Sequence, residues 1–240
     1  VTICEGRGTE RERKSMFTAL SPSAILPVPE LNVLVLPGGT DFSYRPFSPF
    51  QPSALRMYPF TASIAARFGP RVRVHQTGYR VRGWNCGQAS PMPYARHALT
   101  RLTRDHPDIP VAIVGHSMGG RIAALLGADE RVTDILALAP WWQFADWRRI
   151  HDDARVLAVH GDADRVTRSR RTEKGIRELV ERGVDATYIR VPGGAHPMLD
   201  HLGLWHSTAL SFISRALNSA ATAEPTGVAD PLDTPETVSQ

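Results

Sequence analysis

Continuous apolar runs alternate with stretches of helical periodicity along most of this chain. Residues 31–36, 72–75, 110–114, 133–139, 155–160 and 186–191 read as strands. Residues 53–68, 94–105, 170–182 and 205–217 place apolar side chains three and four positions apart and read as helices, and another helix starts at Arg121. Strands that are apolar at successive rather than alternate positions are buried on both faces. Their regular alternation with helices calls for a parallel sheet. The expected fold class is therefore α/β, a mostly parallel sheet of about six strands flanked by helices on both faces.

The two ends break the pattern. Residues 1–30 are polar and then proline-rich (Pro22, Pro27, Pro29), predicting an irregular segment with one candidate edge strand. Residues 219–240 are rich in Ala, Thr, Pro, Asp and Glu with few large apolar groups, predicting a disordered tail. A single domain over 31–218 remains. The opening Val1 leaves two readings, a processed terminus or a true start at Met16.

Composition narrows the class. At 42% hydrophobic and 22% charged, the chain has enough apolar residues for one core and the surface charge of an ordinary soluble protein. The formal net charge of +4 comes from scattered arginines such as Arg56, Arg67, Arg71, Arg73, Arg80 and Arg82. That reads as a solvated surface, and no nucleic-acid partner is expected. Cys4 and Cys86 have neither metal-ligand spacing nor a disulfide framework. No apolar run approaches the ~20 residues that span a bilayer, and residues 1–14 lack the apolar core of a signal peptide. A cytoplasmic location without a membrane partner follows as the expectation. Oligomeric state has no readable signature.

The strongest chemical signal is Gly115-His116-Ser117-Met118-Gly119, set between the strand 110–114 and the helix beginning at Arg121. A serine at such a turn sits on strained backbone with its hydroxyl exposed above the sheet, and the flanking glycines allow the close approach. A phosphate-binding loop would need different Gly spacing and a Lys, and no Gly-x-Gly-x-x-Gly follows a strand, so no cofactor is expected. A serine hydroxyl needs a base to take its proton, and the base needs an acceptor to hold its tautomer. Two loops that follow later strands offer both: His160-Gly161-Asp162-Ala163-Asp164-Arg165-Val166 and Pro192-Gly193-Gly194-Ala195-His196-Pro197.

Together these motifs resemble the α/β-hydrolase superfamily over roughly residues 31–217, where Ser, then Asp or Glu, then His follow in that chain order. The resemblance implies an α/β-hydrolase fold with Ser117 as nucleophile, His196 as general base and then acid, and Asp164 orienting His196. Asp162 is the rival acid. The family's acid usually stands three residues after the Gly of this loop, which selects Asp164. The oxyanion donors implied are the backbone N–H groups of Met118 and Gly39, with Thr40 the adjacent alternative. Many relatives carry a His before this Gly, where this chain has Pro37. His116 is expected to pack and to carry no chemistry.

Family members often carry a cap after the strand that follows the elbow helix. Only 14 residues, 141–154, are available here, too few for a multi-helix lid. Trp141, Trp142, Phe144 and Trp147 crowd this connection, and Trp84 lies in the loop 78–93. Trp141, Trp142 and Thr40 are the candidate substrate contacts. His196, Asp200, His201 and His206 also invite a metal reading, but on a helix His201 and His206 share a face poorly, so no metal is expected. The resulting expectation is a serine hydrolase that cleaves small-molecule carboxylic esters or thioesters through an acyl-enzyme. The alternatives are a peptidase or acyltransferase using the same triad, or a catalytically silent binding protein of this fold.

Overall fold

The computed structural model describes residues 27–222, so the segment 1–26 and the part of the expected tail from 223 onward lie outside the described residues. Six parallel strands run in the order β2-β1-β3-β4-β5-β6. They are β1 (Leu31–Leu36), β2 (Val72–Gln76), β3 (Val111–His116), β4 (Val132–Leu138), β5 (Arg155–Gly161) and β6 (Asp185–Val191). The helices are α1 (Pro52–Leu55), α2 (Tyr58–Phe68), α3 (Met92–Thr103), α4 (Met118–Leu126), α5 (Ser169–Glu181) and α6 (Leu202–Thr222).

The central strands β1 and β3 are buried at every position, as their largely apolar runs predict, and with them the polar Asn32 and His116. The edge strand β6 is different. It is paired on one side only and most of its residues are partly or fully exposed, which is why Thr187 and Arg190 stand among its apolar residues. Alternate side chains of the sheet feed two cores. Leu34, Ile113 and Ala137 pack under α3 and α4 on one face, while Val33, Val114 and Leu136 pack under α2 and α6 on the other. Among the described residues, no helix is long and apolar enough to cross a membrane.

Several element ends shift by one to three residues from the sequence pattern, and two larger departures have identifiable reasons. The single helix predicted over 53–68 is split into α1 and α2, because Pro59 enters the first turn of α2 and cannot continue a preceding helix. The last helix runs to Thr222 rather than stopping at 217, its Ala- and Ser-rich end having no breaker before Pro225.

The chain leaves β1 for β2 on one side and returns to β3 on the other, so the order reverses between β1 and β3. In open parallel sheets a crevice forms at the carboxyl ends of such a strand pair. Helix α4 starts there and crosses β1 so closely that a methyl group on Gly119 would overlap the Leu36 carbonyl oxygen, and one on Gly115 would overlap the Gly119 carbonyl. Gly119→Ala is therefore expected to destabilise the protein by about 1–3 kcal/mol or more, through forced displacement of α4. Thermal denaturation checks this, and an unchanged midpoint would mean the helix moves off the sheet at no cost.

Candidate active site

Ser117 caps α4 at φ 56° and ψ −116°, a conformation costly for any residue with a side chain. Its backbone is fixed on both sides. The Ser117 N–H donates to the Leu138 carbonyl at 3.0 Å, and its own carbonyl accepts from the Trp141 N–H at 2.9 Å. This turn aims Oγ at the loop after β6, where His196 Nε2 lies 3.0 Å away. On the far side of that ring, Nδ1 lies 2.7 Å from Asp164 Oδ2. With the ring proton assigned to Nδ1, His196 donates to Asp164 and accepts from the Ser117 hydroxyl.

Asp164 is held from every side. Oδ1 accepts the backbone N–H groups of Val166 (2.7 Å) and Thr167 (2.9 Å). Oδ2 faces the Thr167 hydroxyl at 2.7 Å and His160 Nε2 at 3.1 Å, besides His196. Burial opposes its charge, but the hydrogen bonds from His160, His196 and Thr167 outweigh it. They hold the carboxyl well below the usual carboxylate range.

The structure brings Ser117, His196 and Asp164 together and leaves Asp162 out. Asp162 turns to the surface, where it accepts the Gly193 N–H at 2.7 Å and meets the Arg190 guanidinium at 3.1 Å. It thereby ties the β5 loop to the turn that leads to His196.

Three residues do more than the sequence analysis assigned them. His160 is fully buried with Nδ1 2.8 Å from Thr172 Oγ1, so Nε2 can carry the proton toward Asp164. Thr167 Oγ1 lies among Asp164, His160, His196 Nδ1 (3.3 Å) and the Ala139 carbonyl. Their signal in the sequence is faint: a histidine ending an apolar run, and a threonine three residues after the acid. His116, expected only to pack, lies with Nε2 3.0 Å from the His196 carbonyl and steadies that loop. Burial, together with the nearby His196 and Arg56, keeps the His116 ring pKa well below the ordinary value, so it is neutral there.

The loop after β1 lies against the elbow. A methyl group on Gly38 would come within 3.3 Å of Ser117 Cβ, and one on Gly39 would overlap Met118 Cε and the Arg82 carbonyl. The Thr40 N–H is committed to the Arg82 carbonyl at 3.0 Å. The amides of Gly39 and Met118 have no hydrogen-bond partner among the described residues.

The neighbouring tryptophans divide. Trp141 and Trp84 meet edge-to-face at 6.2 Å, and with Arg121, Phe144 and Asp41 they line a cavity of about 590 Å³ beside the elbow. Trp142, expected as a substrate contact, is instead buried against Gly175 and Trp147, with its indole N–H donated to the Gly120 carbonyl at 3.0 Å. Trp147 is buried too, its indole N–H on Glu178 at 2.9 Å. Thr40 is exposed and bridges to Gly83 through its backbone, which anchors the loop that carries Trp84. Asp200, His201 and His206 have separate partners. Asp200 accepts the Ala195 N–H, His201 Nε2 faces the Pro192 carbonyl, and His206 stacks on Phe60 at 4.0 Å. Among the described residues, no group of three or more His, Cys, Asp or Glu is arranged to hold a metal ion.

A six-stranded parallel sheet with a serine elbow, an acid loop and a histidine loop at its carboxyl edge defines the class of α/β hydrolases. The family model described as the alpha/beta hydrolase family matches residues 76–218, and the chain belongs to that family. No curated protein matches the sequence. Among solved structures, an alpha/beta hydrolase from a Medee basin deep-sea metagenome library is 18% identical with a TM-score of 0.61, over 78% of this chain and 84% of that one. A serine hydrolase without lid from Xanthomonas campestris is 18% identical with a TM-score of 0.59, over 85% and 88%. A thermophilic esterase from Thermogutta terrifontis with propionate bound is 17% identical with a TM-score of 0.58, over 84% and 87%. At these identities the likeness is one of fold.

Proposed function

We propose that this hydrolase cleaves small-molecule carboxylic esters or thioesters through an acyl-enzyme on Ser117. The observation that carries the reading is the relay of 3.0 Å from Ser117 Oγ to His196 Nε2 and 2.7 Å from His196 Nδ1 to Asp164. Ser117 Oγ attacks the carbonyl carbon while its proton passes to His196 Nε2. The charge that develops on the carbonyl oxygen meets the Gly39 and Met118 amides. The Thr40 N–H already donates to the Arg82 carbonyl, which favours Gly39 as the second donor. The C–O or C–S bond then breaks, and His196 returns the proton to the leaving oxygen or sulfur. Water repeats the sequence on the acyl-enzyme, giving the free acid and restoring Ser117. Peptidase or acyltransferase chemistry on the same residues would differ in what leaves or accepts the acyl group. Analysing products with a thiol or alcohol acceptor present separates free acid from acyl transfer.

The test is labelling with a fluorophosphonate probe followed by peptide mass mapping. Modification at Ser117 that is absent from Ser117→Ala is the expected result. An unlabelled native protein would move weight to a silent binding protein.

Thr167 and His160 act in this reading as positioning residues, since both donate to Asp164 rather than to substrate. Thr167→Val is expected to lower kcat roughly ten-fold with little change in KM, on the scale of one lost hydrogen bond to a charged group. With one donor gone, the carboxylate pairs more strongly with protonated His196, so the acidic limb of the pH–rate profile should move to higher pH. A loss of kcat with an unmoved profile would reduce Thr167 to a packing role.

A further inference from the structure

The ester's carbonyl can lie over Ser117 in only one sense if His196 is to protonate the leaving group. Nε2 must reach the leaving oxygen, so the alcohol part extends toward the His196 loop. There Met198, two residues past His196, joins Leu55, Pro59, Leu199 and Leu202 around a groove of about 390 Å³. The stacked Phe60 and His206 rings and Arg56 complete its lining. The acyl part must leave on the other side of the elbow, toward Trp141, which is bonded to the Ser117 carbonyl, and Arg121, one helical turn beyond Ser117. This is the 590 Å³ cavity.

Three aromatic rings, Trp84, Trp141 and Phe144, give that cavity flat π walls beside the smaller residues of its lining. The Arg121 guanidinium lies 4.0 Å from the Trp84 ring centroid, 5.0 Å from Trp141 and 5.6 Å from Phe144. It is buried and paired with buried Asp146, whose carboxylate is 3.1 Å from Nε and 3.4 Å from Nη2. Nη1 has no hydrogen-bond partner among the described residues. Phe144 is 87% exposed, an unusual place for a phenyl ring, and it and Ala145 are consecutive residues in the left-handed region, at φ 49° and 57°. Strain of this kind persists at sites where a side chain must be held in one place. Here it holds an uncovered ring at the cavity mouth, opposite the tryptophans.

We infer that the cavity lined by Trp84, Trp141, Phe144 and Arg121 is the acyl subsite, and that it selects a planar aromatic acid bearing an uncharged hydrogen-bond acceptor. Ring faces and edges reward a flat π system beyond its buried area, whereas a saturated group of equal size gains only the area. The free Nη1 donor supplies the polar contact. An anionic substituent is disfavoured, because Asp146 already balances the guanidinium and the Asp41 carboxylate stands on the same wall. The preferred substrate class is therefore an ester of an aromatic carboxylic acid.

This assignment of acyl and alcohol sides rests on the proposed acyl-enzyme chemistry, so its test reads binding apart from turnover. In the full-length Ser117→Ala protein, tryptophan fluorescence titration compares ethyl 4-hydroxybenzoate with ethyl 4-hydroxycyclohexanecarboxylate, which share the alcohol and the ring hydroxyl and differ in acyl planarity. The aromatic ester should bind roughly three- to ten-fold more tightly. Phe144→Ala, a substitution at an exposed ring that leaves the cores untouched, should bring the ratio close to one. The same pair is then turned over by the unsubstituted protein. An aromatic preference in binding with no turnover of either ester would sink the hydrolase reading and leave the aromatic subsite standing. Equal binding of the two esters, or a preference unchanged by Phe144→Ala, would overturn the subsite whatever the turnover.

Discussion

Ser117→Ala should lower the turnover of a short ester by about 10⁶-fold and leave the protein folded. The size of the loss follows from the cooperative use of the three groups. Without Oγ there is no bond to form with the carbonyl carbon, and the remaining donors and the binding surface retain only ~10³–10⁴ over the reaction in water. The fold should survive because Ser117 contributes little to packing beyond its backbone. Its N–H and carbonyl, bonded to Leu138 and Trp141, stay in place in the variant. The left-handed conformation at φ 56° is no worse for alanine than for serine. Circular dichroism and melting should therefore match the unsubstituted protein while rates collapse and fluorophosphonate labelling disappears. Turnover within ten-fold of the original would remove Ser117 from the chemistry.

The sheet and the relay were legible because both depend on local patterns tied to strand ends. A parallel strand buried on both faces is apolar at nearly every position, so 31–36, with only Asn32 polar, and 110–114 stand out by composition alone. Once those strands are ordered, Ser117, Asp164 and His196 fall on loops at the same edge. The direction of a side chain within a loop is another matter. Trp141 and Trp142 are adjacent and chemically identical, yet one lines the cavity and the other enters the core. What separates them is the bond from the Trp141 N–H to the Ser117 carbonyl together with the space that Gly175 leaves for the Trp142 ring. That glycine belongs to α5, a distant part of the chain.

Long-range polar pairing was hidden for the same reason. Arg121 stands in an otherwise small and apolar helix start, and nothing nearby in sequence marks it as half of a buried ion pair with Asp146. His160 depends on Thr167 in the loop after β5 and on Thr172, which reaches it only after α5 folds back against β5. Periodicity marks which face of an element is buried. It carries no information about which polar groups meet inside, since a buried pair needs only its two partners to coincide in space.

The acid offers the second large effect and the clearest contrast between two neighbouring residues. Asp164→Asn should reduce kcat about 10⁴-fold, and Asp162→Asn no more than about three-fold. An asparagine at 164 has one oxygen where the carboxylate has two, and both original oxygens accept from donors. With its amide nitrogen at the Oδ1 position it faces the Val166 and Thr167 N–H groups, and with it at the Oδ2 position it faces the Thr167 hydroxyl and the rings of His160 and His196. In the second orientation the amide donates to His196 Nδ1. The ring proton then moves to Nε2, and the base can no longer accept from Ser117. In the first, unpaired donors at the loop distort the acid's position, so both orientations lose activity and stability. The stability deficit should also depend on pH in a particular sense. The depressed carboxyl pKa stabilises the folded state in full above the unfolded carboxylate value of about 3.9 and is lost as pH falls toward the folded value. The gap between Asp164→Asn and the unsubstituted protein should therefore be constant near neutrality and narrow below about pH 4. At position 162 an asparagine oxygen can still accept the Gly193 N–H, and only an exposed, solvent-screened ion pair with Arg190 is lost. Equal losses in the two variants, or the reverse order, would transfer the orienting role from Asp164 to Asp162 and require the loop after β5 to close on His196 differently.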